Sequence, residues 1–159
     1  MEHHRVEVGF KEQKNDPIGA SVKADIEDDL EIKGIETVSF IEFFELNAEL
    51  QEEKAKEIAE KLLVDPIIQE YSLNKELSAA FDWAIEVKLK KEVTDNVGAT
   101  ARQAIEDLLD RKLLEEETIR SGRKYLLRGN IQEEEVKRIC AGLLANELIE
   151  EFSYRKGKK

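Results

Sequence analysis

Two prolines, one cysteine, one tryptophan and one methionine among 159 residues leave little material for a disulfide-stapled or loop-dominated fold. The lone Cys140 cannot form an internal disulfide. Its setting in VKRICAGLL, with apolar residues one turn away on either side, marks it as a core thiol. No apolar run approaches the roughly 18 residues of a membrane span, and MEHHRVEVGF lacks the apolar stretch and cleavage site of a signal peptide. A cytoplasmic location without membrane contact is therefore expected. Histidine is scarce too: His3 and His4 stand together ahead of the first strand pattern and read as an exposed flank. With no further His or Cys to complete a ligand set, no metal site is expected. Neither a GxxxxGK[ST] loop nor GxGxxG occurs, and no nucleophile, base and orienting acid can be grouped. No catalytic residue and no cofactor follow from these residues. Basic excess is missing as well: 36 acids against 25 bases give a net charge of −11, which argues against nucleic acid as a partner.

What is present is a 41% hydrophobic, 38% charged chain, enough apolar residues for a core beneath a solvated surface. The charge is uneven. Residues 1–79 carry 20 acids and 9 bases, whereas residues 80–159 carry 16 of each. The halves also repeat one another. Val6-Glu7-Val8 aligns with Ile85-Glu86-Val87, and Asp16, Ile18, Gly19 and Ala20 align with Asp95, Val97, Gly98 and Ala99. After two extra residues in the second half, Val38, Phe44 and Leu46 fall on Ile119, Tyr125 and Leu127. LLVDPIIQEY at 62–71 then falls on LLANELIEEF at 143–152. This is a tandem duplication, with one repeat in 1–79 and the other, ending in a basic tail, in 80–159.

Each half reads as strand, helix, strand, helix, strand, an α+β pattern of antiparallel sheets with helices on one face. Val6, Val8 and Phe10 alternate at period two, as do Ile85, Val87 and Leu89. Asp16 is an N-cap and Pro17 suits the first helical position; Ile18, Val22, Ile26 and Leu30 continue as an apolar stripe. Val97, Ala101, Ile105 and Leu109 form its copy. A second helix carries Ala55, Ile58, Ala59, Leu62 and Leu63, or Val136, Ile139, Cys140, Leu143 and Leu144. The last strands are expected in IIQEYSL and IEEFSY. Residues 74–84 read as a linker whose Phe81 and Trp83 dock between the halves, and RKGKK reads as a frayed tail.

The stretch TVSFIEFFEL is apolar on both faces. Val38, Phe40, Phe44 and Leu46 point one way and Ile41 and Phe43 the other. Two helices cover only one face of a three-stranded sheet, so Ile41 and Phe43 are expected to form an oligomer interface in a homodimer. In the second half the same outer face carries Arg120, Gly122 and Lys124. Glycine there suits a close approach, and the two cations suit an acidic partner surface or phosphate, against the alternative of an ordinary solvated basic face. Glu42 aligns with Arg123. If the two long strands pair antiparallel about a pseudo-twofold axis, these residues face one another as an inter-repeat pair.

Three segments resemble the PurS family. DPIGASV is similar to its strand, DPxG, helix opening, and IRSGRKY to its V-R-x-G-K strand. LLANELIEEF and LLVDPIIQEY resemble its LLANPxIExY ending. The family is the small accessory subunit of formylglycinamide ribonucleotide amidotransferase, or phosphoribosylformylglycinamidine synthase, in purine biosynthesis. The resemblance implies a non-catalytic bridge between synthetase and glutaminase subunits that binds no cofactor, and a fused version of a dimer of single units. The halves depart from the pattern differently. The first has Phe40, Ile41 and Glu42 where an Arg/Gly/Lys strand is expected. The second has Asn96 and Glu147 for the two prolines and Arg123 for a lysine. Two equivalent partner sites are therefore not expected. The alternative is a diverged paralogue acting alone as a small-molecule-binding or regulatory module.

Overall fold

The computed structural model describes residues 1–158. The first repeat contributes β1 (Glu2–Phe10), α1 (Pro17–Asp28), β2 (Ile35–Ala48), α2 (Glu52–Ile58) with a π-helical turn (Ala59–Leu63), and β3 (Gln69–Leu73). The second contributes β4 (Trp83–Leu89), α3 (Asn96–Leu109), β5 (Thr118–Gly129), α4 (Glu133–Ile139) with a π-helical turn (Cys140–Leu144), and β6 (Glu150–Lys156). The strands form one six-stranded sheet in the order β3-β1-β2-β5-β4-β6, every neighbouring pair antiparallel. Each repeat has the same strand order read outward from the centre, as the duplicated hydrophobic pattern predicts.

The two aspartate caps show why both repeats keep that residue. Asp16 accepts from Gly19 N at 2.7 Å with one carboxylate oxygen and from Phe40 N at 2.7 Å with the other. Asp95 does the same with Gly98 N at 2.8 Å and Ser121 N at 2.6 Å. Each cap thus satisfies orphan amides of the first helical turn and also ties that turn to the central strand.

All four helices lie on one sheet face, and the two cores beneath them are shared between repeats. Ile26 of α1 and Val38 of β2 pack with Ile85, Tyr125, Leu127, Val136, Ile139 and Cys140 of the second repeat. Ala101 and Ile105 of α3 and Ile119 of β5 pack with Val6, Val8, Phe44, Leu46 and Ile58 of the first. The first helix of each repeat therefore roofs the core of the other. Cys140 is fully buried, and burial pushes its thiol up to about 12.

Several local readings change. His3 and His4 lie within β1, and His4 is buried, with Nε2 donating to Leu50 O at 2.9 Å and Nδ1 3.0 Å from Asn74 Nδ2. The second helix ends at Leu63, ahead of Pro66, and Ile67 and Ile68 sit exposed in a turn before β3, as do Leu148 and Ile149 before β6. Ile18 and Val97, at the open ends of their stripes, are also exposed. Trp83 begins β4 and donates from Nε1 to Ile131 O at 3.0 Å, so it belongs to a core and not to the linker. Arg155 and Lys156 of the basic tail lie inside β6.

Candidate functional site

The two repeats meet along β2 and β5, whose register sets Ile41 opposite Lys124, Glu42 opposite Arg123 and Phe43 opposite Gly122. Glu42 and Arg123 are also counterparts in the repeat, so the pseudo-twofold axis passes between them. All the residues singled out in the sequence therefore lie within a few residues of this axis. Glu42 and Arg123 point to the helix face, while Ile41, Phe43, Arg120, Gly122 and Lys124 point to the opposite, back face.

Ile41 and Phe43 do not form an open apolar surface. Ile41 is 2% exposed, in a cluster with Ala84, Leu126, Phe81 and Leu77. The covering residues come from the segment between the repeats, which crosses the back face as a strap. Leu77 N donates to Glu7 at 3.0 Å and Asp82 N to Leu127 O at 2.8 Å, while the Arg155 guanidinium lies over the Phe81 ring. Phe43 is fully buried: Arg5 stacks on its ring at 4.0 Å, and Gly122 lies beneath it, where an added Cβ would overlap the ring. The expectation that another chain covers these residues is corrected by the strap and by Arg5, which the hydrophobic pattern of the strand alone does not reveal.

Lys124 is equally enclosed. Its side chain is 1% exposed, and its ammonium pairs with Glu7 at 3.0 Å and Glu76 at 3.5 Å. Burial works to raise the Glu7 pKa, but the Leu77 amide, Lys124 and Arg5 outweigh it and hold the carboxyl below its usual range. Of the three residues read as partner-binding, only Arg120 is open, 34% exposed and 4.0 Å from Asp95. Gly122 serves Phe43 and Lys124 serves Glu7. The strand pattern gives no signal for this: Glu7 takes the outward position between the core residues Val6 and Val8, and it is buried by the strap that crosses the back face.

On the helix face Arg123 does not pair with Glu42. Its guanidinium donates to Glu150 at 2.7 Å and to Leu144 O at 3.1 Å. Glu42 is half-buried, and its carboxylate makes no hydrogen bond or ion pair among the described residues. Burial, with a smaller contribution from the nearby Asp95 charge, raises its pKa. The register thus brings the two residues face to face, and a partner on β6 then takes the arginine away. Among the described residues there is no cluster of three or more metal-ligating side chains, and no helix is long and apolar enough to cross a membrane.

A sheet built from two like halves, joined through their long central strands and covered by helices on one side only, defines a covalent pseudo-dimer of small α+β units. Comparison with protein families gives those units a name. The model of PurS, described as phosphoribosylformylglycinamidine (FGAM) synthase, matches residues 3–76 and again residues 82–158. The chain belongs to the PurS family, as a tandem duplication, and this assigns it an accessory role in FGAM synthase and so in purine biosynthesis. A search of curated proteins finds no match.

Proposed function

We propose that this chain is a non-catalytic subunit of the FGAM synthase assembly that bridges the synthetase and glutaminase subunits, with one polypeptide doing the work of two PurS units. The observation that carries this reading is the family match in both repeats, whose long strands join into one sheet about a pseudo-twofold axis. The thiol of Cys140 is buried and strongly disfavoured from ionising, so it is no nucleophile. Arg120 is a partly exposed cation of the back face and serves as a contact for an acidic partner surface. The sheet joins the repeats within the chain, so the pairing achieved by two single units is already present in one polypeptide. Affinity capture of the tagged chain from its native cell extract tests the assignment, and recovery of both a synthetase and a glutaminase is the expected result. Glutamine-dependent FGAM formation by those subunits should require the chain, while ammonia-dependent formation should require it less. Capture without either subunit would overturn the reading. Arg120→Glu should weaken capture most at low salt, because exposed charges are screened beyond about 10 Å at 0.1 M.

A further inference from the structure

The pseudo-twofold axis makes the two sides of the helix face comparable residue by residue, and they differ in one respect that leaves a charge without a partner. In the second repeat the central strand residue is Arg123. It is neutralised by Glu150 at the start of β6 and also donates to Leu144 O at the end of the π-helical turn. The counterparts in the first repeat are Glu42, Gln69 at the start of β3, and Leu63. Gln69 is neutral, and its side-chain oxygen is already used by Asp65 N at 2.8 Å. Glu42 is therefore a half-buried carboxylate whose own repeat supplies no cation. Arg123, the cation nearest in register, is engaged on the other side.

Glu42 opens onto a cavity of about 410 Å³ between α3 and the π-helical turn, walled by Phe44, Leu62, Leu63 and Ala101 and also by the polar Asn96 and Thr100. Leu62 and Val97 on its rim are 36% and 48% exposed, so the cavity is reachable from solvent. Asp95 borders the same region, but both its oxygens are occupied by Gly98 N, Ser121 N and Ser121 Oγ, which leaves Glu42 as the acceptor. A mostly apolar, open cavity bordered by one unpaired carboxylate suits a cation carried on an alkyl stem. The stem gains from burial, and the head group gains a charge-assisted hydrogen bond in a partly desolvated setting.

We propose that this cavity binds a guanidinium or ammonium group on an aliphatic stem, with Glu42 as its counter-ion. The group is an arginine or lysine side chain of a bound protein, or a free alkyl cation. The site does not depend on the FGAM synthase assignment, because it is defined by residues of this chain alone.

The test uses n-butylguanidinium as probe and the neutral n-butylurea as control, followed by amide chemical shifts of the full chain. Shifts confined to residues around the cavity, including Leu62, Leu63, Val97 and Ala101, are expected with the cation. n-Butylurea should bind at least roughly tenfold more weakly. Glu42→Gln should weaken the cation by a similar factor while leaving the spectrum otherwise folded. Gln69→Arg supplies from inside the charge that the first repeat lacks, and should also abolish probe binding with Glu42 still in place. Cation binding that is equal in the Glu42→Gln protein, shifts lying elsewhere, or no saturable binding would each overturn the proposal. The source of the group is read separately. If a protein supplies it, Glu42→Gln weakens capture of that protein and n-butylguanidinium competes with it. If capture is unchanged while the probe still binds, the ligand is a free cation. Failure to capture any FGAM synthase subunit would count against the functional assignment and not against the cavity.

Discussion

The two halves of the back face occupy equivalent places in the repeat and have opposite chemistry. On one side of the axis Ile41, Leu126 and Ala84 form an apolar patch under Leu77 and Phe81 of the strap. Their counterparts are Gly122, Glu45 and Arg5. Glu45 and Arg5 are 22% and 25% exposed in their side chains, and beside them Lys88 takes the place of Gly9 and pairs with Glu45 at 3.4 Å. The covered half is the one that water would penalise, and the open half solvates itself with ion pairs. Duplication therefore did not leave two copies of one surface. The connection between the repeats exists once, and the side it crosses became apolar.

The same asymmetry governs two buttresses that cross the repeat junction. Glu7 on β1 reaches Lys124 on β5, and its counterpart Glu86 on β4 is held by both terminal nitrogens of Arg5 on β1. Each acid thus takes a cation from the other repeat. The first pair is buried under the strap, whereas the second has side chains about one quarter exposed. Coulomb attraction is less screened in the first than in the second.

Separating the repeats should break the comparison entirely. Because each core is roofed by the other repeat, fragments 1–79 and 80–159 should each be unfolded alone and regain structure when mixed. Far-ultraviolet circular dichroism and amide dispersion measure this, and a cooperatively folded single fragment would contradict the shared cores.

The next largest effect should come from the buttresses. Lys124→Met leaves the buried Glu7 carboxylate with Arg5, at 3.0 Å, as its one cation and should cost about 3 kcal/mol in denaturant unfolding at neutral pH. Glu86→Gln, at the partly exposed counterpart, should cost less, about 1–2 kcal/mol. The folded-state pKa of Glu7 is depressed, so the stability it contributes is present above the usual carboxylate range and lost as pH falls. The gap between the two variants should accordingly narrow in acid. Equal costs at neutral pH would mean that the strap does not insulate the pair.

Smaller again is the close approach beneath Phe43. Gly122→Ala places a methyl group into the ring and should destabilise by about 1–3 kcal/mol. In a Phe43→Ala background the same change should be nearly neutral, a non-additivity that unfolding of the four proteins reads directly.

The smallest effect sharpens the comparison at the axis. The folded-state pKa of Glu42 is raised, so ionisation costs stability as pH rises from the unfolded value through the folded one. Glu42→Gln should therefore stabilise the chain at neutral pH, by less than about 1 kcal/mol, and the gain should vanish near pH 4. Arg123→Gln should do the reverse, since it removes an ion pair and leaves Glu150 behind.

The duplication, the order of elements and the aspartate caps follow from the sequence because each rests on local chemistry. Period-two strands, a period-3.6 stripe and an oxygen three residues ahead of a free amide need no distant partner. The antiparallel meeting of Glu42 and Arg123 was legible for a related reason: a repeat that pairs its longest strand with its own copy must set the central residues opposite one another. Tertiary structure alone decided what those side chains then do. Arg123 turns to Glu150, which is 27 residues away in the chain. Lys124 turns inward to Glu7, 117 residues away, and a strap that reads as a linker hides Ile41. Alternation along a strand tells which face a residue takes, but whether that face is wet depends on where the connecting chain runs. Burial and charge pairing are properties of the assembled sheet, so they appear only when both repeats are in place.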